Sequence, residues 1–312
     1  MTGVGGRRIV PLLGALALAA GCATATRSAA NSSIDQAVAA ASVRCGCRIG
    51  VAAKHLESGR SYEHLGDAEF EGASVTKIAV LTEAMAAVGE GRADLSERWM
   101  LTEAEKADGS GILPLLDPGL QPTWNDLLIL MIGPSDNTAA NAWIERLGVA
   151  RINARMESLG FLHIRLIAEL PPLSARDEEP SAWKGFRFGT LTPRDVARWY
   201  EQVARGELLD ADASRRIFEY LDKDASRLRV ARRFPPNDLW AGKTGSMSGV
   251  RNDSGVLRTK KGRFVLVLFT DGSPASPVSS ADHPAVLAIA DVASAIVESW
   301  SRQLPDLPEK PK

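Results

Sequence analysis

Three short groups of residues could together run a substitution at a carbonyl carbon: Ser74 with Lys77, Ser135 with Asn137, and Lys243 with the Thr244-Gly245-Ser246 run behind it. Ser74 sits where a long apolar segment begins. Ile78, Ala79, Val80, Leu81, Met85, Ala86 and Val88 recur so densely that the spacing predicts a helix from Ser74 to about Gly89, buried on nearly every side. A hydroxyl at the start of that helix feels the positive end of the dipole, which favours a developing alkoxide. Lys77 falls one turn further along the same face. A lysine held among buried groups loses its proton more readily and can act as a base. A serine in this place would also suit a plain N-cap, and Ser-x-x-Lys is cheap enough to recur as Ser181-Ala182-Trp183-Lys184. That second copy follows Pro180 in an irregular stretch and opens no apolar helix, so the copy at Ser74 is the one read as chemical.

Ser135-Asp136-Asn137 follows a Gly133-Pro134 turn, where a turn-plus-cap reading is also available. Lys243-Thr244-Gly245-Ser246 leads into Gly249-Val250-Arg251-Asn252-Asp253. Glycine in such a strand lets another backbone approach closely. A guanidinium at Arg251 could hold a substrate carboxylate in two-point fashion with Thr244, the bland alternative being a solvated strand arginine. By composition, Ser-Asp-Asn and Lys-Thr-Gly each arise by chance in about one chain in twenty of this length, so their joint appearance in this order and spacing is a strong signal.

The three motifs resemble those of the class A serine β-lactamases and related penicillin-recognising serine hydrolases, and the likeness extends over roughly residues 35–300, through Thr138-Ala139-Ala140-Asn141 and Leu191-Thr192-Pro193. The resemblance implies that Ser74 is the nucleophile and Lys77 its base, that Ser135 relays a proton to the leaving nitrogen, and that Asn137 holds the substrate's side-chain amide. It implies further that Lys243 supplies positive charge near Ser135 and that the Thr244-Gly245-Ser246 strand binds substrate. The backbone N–H groups of Ser74 and Ser246 would form an oxyanion hole, each such donor worth about 3 kcal/mol of barrier.

One part of the family pattern fits poorly. Class A enzymes carry a glutamate in a long loop, in a Glu-x-x-Leu-Asn setting, which activates the water that frees the acyl-enzyme. Here the loop reads Arg165-Leu166-Ile167-Ala168-Glu169-Leu170-Pro171-Pro172-Leu173-Ser174. Glu169 falls near the expected place after Arg165-Leu166, yet matching Leu173-Ser174 to Leu-Asn puts Leu170 in the glutamate slot. Glu169 is the candidate deacylation base, since a general base must be within geometric reach, and Glu179 is the next candidate.

Bulk properties narrow the class. Charge is balanced, 37 Lys+Arg against 38 Asp+Glu, whereas a nucleic-acid binder would show a basic surplus. The four histidines, His55, His64, His163 and His283, are isolated and form no zinc-ligand cluster, and no Gly-x-Ser-x-Gly elbow occurs. No metal or cofactor is expected. Arg7-Arg8 followed by the apolar run Ile9 to Ala20 reads as an export signal, too short to be a stop-transfer span. The Leu18-Ala19-Ala20-Gly21-Cys22 end resembles a lipoprotein cleavage site, with Ala19 where leucine is usual. It implies residues 1–22 as signal, Cys22 as a lipidated anchor outside the cytoplasm, and 23–34 as a linker. Cys45 and Cys47 are separated by one glycine; a disulfide there looks strained, and two packed thiols on one strand face are expected instead.

Around these motifs the pattern predicts a helix near Ile34–Ala41, a strand Arg48–His55, a turn at Glu57-Ser58-Gly59-Arg60, a mostly helical middle over 92–215, strands from Leu239 with a hairpin at Lys260-Lys261-Gly262, a last helix over Ala285–Trp300 and a disordered tail over 301–312. The fold class that follows is α/β: an antiparallel sheet lobe built from both chain ends, flanked by helices, with an all-helical lobe inserted. Three functions fit this reading: a monomeric β-lactamase, a D,D-peptidase-like hydrolase acting on cell-wall peptides without efficient deacylation, and a binding module that acylates once.

Overall fold

The computed structural model describes residues 31–173, 187–224, 226–274 and 280–308. The expected signal and most of the linker, including Cys22, lie outside the described residues, as do Glu179 and Ser181 to Lys184. The first helix already runs over 31–45, so residues 31–34 belong to it and not to a linker.

Five antiparallel strands form the main sheet: β1 (Arg48–His55), β2 (Ser61–His64), β6 (Leu239–Met247), β7 (Val250–Thr259) and β8 (Gly262–Asp271), in the order β2-β1-β8-β7-β6. Strands from the two chain ends meet at β1 and β8, paired from Arg48↔Asp271 to His55↔Phe264. Alternation along each strand feeds two cores, as a period of two requires. Val51, Ala53, Trp240, Leu257, Leu266 and Leu268 pack under the 31–45 helix and the last helix, Pro284–Ser301. Ala52, Ala241, Val256, Val265, Val267 and Phe269 face the other way, into the helical lobe. The last helix is long and apolar enough to cross a membrane, but its apolar side chains are spent on this core.

The inserted lobe surrounds the helix Lys77–Gly89, in which every residue from Lys77 to Ala87 is buried. Helices Trp124–Ile132, Asn137–Leu147, Val149–Ser158, Pro193–Arg205 and Ala211–Leu221 enclose it. A small sheet of β3 (Phe70–Glu71), β4 (Arg165–Leu166) and β5 (Gly189–Leu191), in the order β3-β5-β4, joins the chain entering that helix to both ends of the long loop.

The structure corrects two further sequence expectations. Cys45 and Cys47 form a disulfide and are not packed free thiols. Cys45 ends the first helix and Cys47 precedes β1, so neither lies in a strand; Gly46 turns between them at φ +59°, a left-handed value open to glycine, and their Cα atoms stand 5.2 Å apart, within disulfide range. Over residues 302–308 the chain folds back on the β7–β8 turn: Leu304 is buried, the Leu307 N–H donates to the Lys260 carbonyl at 2.8 Å, and Lys261 pairs with Asp306.

One buried charge clamps the central helix. Glu83 has no exposure and its two oxygens accept from Arg92 (2.6 Å) and Arg155 (2.7 Å), the latter on helix Val149–Ser158. Both arginines also reach Glu90. Removing one partner of a buried pair leaves charge uncompensated and a cavity behind. Glu83→Ala should therefore lower the unfolding free energy by about 3 kcal/mol in urea titrations; a loss below about 1 kcal/mol would show that the clamp carries little.

Candidate active site

The nucleophile candidate is delivered by a turn. β3 passes through Gly72 into a 3-10 turn, Ala73–Thr76, and the α-helix begins at Lys77. Ser74 therefore lies one turn before the α-helix, partly exposed, and does not cap it; the N-cap is Thr76. Ala73 holds φ +44°, an uncommon value for a residue with a Cβ, and such strain persists where surroundings over-determine the backbone. Two neighbours do so here. Asn252 on β7 donates from Nδ2 to the Glu71 (2.8 Å) and Gly72 (3.3 Å) carbonyls. Gly245 on β6 lies against the turn so tightly that a Cβ there would stand 2.7 Å from the Gly72 oxygen and 3.2 Å from the Ser74 nitrogen. Only glycine lets the two backbones meet.

Lys77 is fully buried, and its amine reaches the Ser135-Asp136-Asn137 turn: Nζ donates to the Ser135 carbonyl at 2.7 Å, Asn137 Oδ1 at 2.8 Å and Ser135 Oγ at 3.3 Å. Burial pushes this amine well below the usual lysine range; the positive charge of Lys243 pushes it the same way, and Asp136 opposes. A lysine so placed gives up its proton more readily than one in water, as a base must. Asp136 caps helix Asn137–Leu147 through the Ala139 N–H (2.9 Å) and takes the Ile112 and Leu113 N–H groups on its other oxygen. Asn137 completes the junction by donating from Nδ2 to the Asp108 carbonyl at 2.6 Å.

β6 is the free edge of the sheet. Its Thr244 N–H points away from β7 and is taken by Asp224 at 3.2 Å. N–H groups alternate sides along a strand, so the N–H of Ser246 lies on the same free edge. Lys243 is fully buried, with its pKa lowered first by desolvation. Thus Ser74, Lys77, Ser135, Asn137 and the Lys243–Ser246 strand are brought together, as the sequence pattern anticipates.

Arg251 departs from expectation. It is 1% exposed, and its Nη1 donates to the Met247 and Val250 carbonyls, both at 2.7 Å. The guanidinium that reaches Ser246 Oγ is that of Arg229, which no motif singles out. Its Nη1 donates to the Gly245 carbonyl (2.8 Å) and to that of Asn252, and its Nη2 to Ser246 Oγ (2.5 Å). Arg229 belongs to a run with Arg227, Arg232 and Arg233. The fold sends Arg227 to the Asp238 and Pro235 carbonyls, Arg232 to Ala281 and Asp282, and Arg233 to Asp291. Nothing in the run itself marks which arginine turns to the strand.

Asn141, on the helix that follows Asn137, grips Leu170 from both sides: Nδ2 donates to the Leu170 carbonyl (2.8 Å) and Oδ1 accepts its N–H (2.9 Å). Leu170 is buried, whereas Glu169 is exposed and stands near Glu105, whose pKa burial raises, with help from Glu145 and Glu169. Segment 171–173 runs along 106–108 through the Asp108 N–H to Pro171 and the Leu173 N–H to Lys106.

Behind β6, Asp253 is fully buried on β7, opposite Thr244, and burial pushes its pKa up to about 7, with Arg229 opposing. An unfolded aspartate ionises near 3.9. The fold thus favours the protonated acid: the stability it confers is complete below about pH 4 and is lost as pH rises towards 7, at about 1.4 kcal/mol per unit. Asp253→Asn should flatten the fall in urea-unfolding free energy between pH 5 and pH 8. An unaltered slope would place the titrating group elsewhere.

A family model described as the β-lactamase enzyme family matches residues 31–300. A β-lactamase of Streptomyces albus G is 31% identical over 231 residues, 72% of this chain and 71% of that one. Among solved structures, a β-lactamase from Sphaerobacter thermophilus superposes with a TM-score of 0.76 at 31% identity, covering 88% of this chain and 98% of the other. PBP-A superposes at 0.74 with 25% identity, covering 87% and 96%; its leucine-to-glutamate variant, solved as an acyl-enzyme complex with penicillin G, does so at 0.74 with 26%, covering 87% and 97%. With that family model spanning residues 31–300 and a relative 31% identical over 72% of this chain, the chain belongs to the β-lactamase enzyme family of serine hydrolases.

Proposed function

We propose that this chain opens β-lactam rings by acylation of Ser74 and releases the acyl product slowly. Ser74 Oγ attacks the lactam carbonyl and its proton passes to Lys77. The oxyanion that forms lies between the N–H groups of Ser74 and Ser246. Collapse breaks the C–N bond, and the proton moves from Lys77 through Ser135 Oγ, 3.3 Å from Nζ, to the departing nitrogen. An ester on Ser74 remains. The substrate carboxylate sits at Thr244 and Ser246 beside Arg229 and Lys243, and its side-chain amide at Asn137; Arg251 serves the strand backbone instead.

The observation that carries slow release is the reciprocal pair of hydrogen bonds between Asn141 and Leu170. They support the alignment that puts Leu170 in the slot where class A enzymes carry their water-activating glutamate. A buried leucine cannot take a proton from water. Loss of a positioned general base typically costs 10²–10⁴-fold in rate. A D,D-peptidase role on cell-wall peptides is the second reading, favoured by the likeness to PBP-A. The export signal and Cys22 support an anchored position outside the cytoplasm for either role.

Intact-mass measurements after mixing with benzylpenicillin test this. The wild type should hold a penicilloyl adduct for minutes or longer, Ser74→Ala none, and Glu169→Gln an adduct as lasting as wild type. Leu170→Glu should shorten its life by roughly 10²-fold. Rapid wild-type turnover that Glu169→Gln abolishes would make Glu169 the deacylation base and the protein an efficient β-lactamase.

A further inference from the structure

Ser135 holds φ +60°, the left-handed region that a residue with a Cβ adopts only when its surroundings enforce it. Its carbonyl oxygen accepts two hydrogen bonds of equal length: Lys77 Nζ at 2.7 Å and Ser110 Oγ at 2.7 Å. The same Ser110 hydroxyl lies 3.4 Å from Asn137 Oδ1, the other main acceptor of the Lys77 amine. An exposed serine hydroxyl and a buried lysine amine thus share two acceptors.

The loop bearing Ser110 is built to hold it there. Asn137 donates its backbone N–H to the Ser110 carbonyl at 2.8 Å. Gly109 and Gly111 flank it at φ +98° and +141°. A Cβ at Gly111 would stand 2.6 Å from Asp136 Cγ and 2.9 Å from its Cα, so glycine there lets the loop press against the turn. Asp136 then takes the next two N–H groups, of Ile112 and Leu113.

We propose that Ser110 is a positioning residue for acylation, whose hydroxyl holds the Ser135 carbonyl, and so the proton-relay turn, in place while Lys77 changes its charge. The role rests on the acylation reading above. Lys77 must gain and then lose a proton in each acylation, and its hold on shared acceptors changes each time, since a charged donor bonds more strongly than a neutral one. A serine hydroxyl does not titrate in this range and holds in both states. It also competes with the ammonium form of Lys77 for the same oxygens. The charged groups whose fields reach Lys77 are Lys243 from β6 and Asp136 from the turn itself. Neither is altered when Ser110 is changed, so a shift in the pH profile reports the lost hydroxyl. Without Ser110, the acceptors serve the ammonium form alone, the proton is held more tightly, and a higher pH is needed to free the base.

The test is stopped-flow acylation by a fluorescent penicillin between pH 5 and pH 10, for wild type, Ser110→Ala and Ser110→Thr. Ser110→Ala should acylate about tenfold more slowly at pH 7, with the acid limb of its rate profile moved upward by about half a unit or more. Initial binding should be unchanged. Ser110→Thr, which keeps a hydroxyl, should recover both rate and limb. Wild-type rate and limb in Ser110→Ala would overturn the proposal, as would an equal loss in Ser110→Thr, which would point to loop packing. Absence of labelling in the wild type would instead overturn the acylation reading, and this role with it.

Discussion

Placing a lysine amine wholly out of water is costly unless hydrogen bonds meet its protons, and Lys77 is placed so, without exposure, at the first position of the central helix. The Ser135 carbonyl and Asn137 Oδ1 meet that demand, and they do so from another part of the chain. For both to face the amine, Ser135 must take a left-handed backbone, Asp136 must cap the following helix, and Asn137 must anchor on the Asp108 carbonyl. Glu83, on the same helix, draws in Arg92 and Arg155 and so clamps its far half to helix Val149–Ser158. A lysine with a depressed pKa and a clamped central helix are two consequences of one buried column.

The sheet lobe contributes the opposite wall by a different constraint. β6 must be an edge strand to offer backbone N–H groups, and an edge invites unwanted pairing. Asp224 takes the Thr244 N–H at that edge, and Arg229 lies over the β6–β7 seam, bonding the Gly245 and Asn252 carbonyls and Ser246 Oγ. Gly245 then lets the strand lie against the Ser74 turn, with Asn252 tying down the Glu71 and Gly72 carbonyls from β7. Asp224, Arg229 and Asp253 set the field at Lys243, the two carboxyl groups opposing the guanidinium.

What the sequence revealed follows from where local pattern and tertiary structure coincide. β1 begins and ends at the expected Arg48 and His55, and the last helix is within a residue of expectation at each end, because alternation and helical period are properties of neighbours in sequence. Ser74, Lys77, Ser135, Asn137 and the Lys243–Ser246 strand were legible because each lies in a short string of chemically demanding residues. Arg229 was not: four arginines stand within seven residues, and only the path of the turn Val230–Arg233 decides which one meets Ser246. Arg251 lies opposite Ser246 on β7, and its Nη1 turns back to the Met247 and Val250 carbonyls, a side-chain path that no local pattern encodes. The Cys45–Cys47 bond was hidden by taking strand geometry one turn too early; the left-handed Gly46 makes the closure.

On the proposed reading the two halves of the reaction are unequally equipped: Ser74, Lys77, Ser135 and the β6 edge meet at the junction of the lobes, whereas buried Leu170, held by Asn141, takes the place proposed for a water-activating carboxylate. The most direct measurement of this asymmetry is a crystal structure of the protein soaked with benzylpenicillin. The account predicts an ester on Ser74 Oγ, its carbonyl oxygen within reach of the Ser74 and Ser246 N–H groups, the penicillin carboxylate beside Arg229, and the Leu170 side chain next to the ester. An ester whose carbonyl carbon faces a water held by the Glu169 carboxylate, or a carboxylate gripped by Arg251, would contradict it.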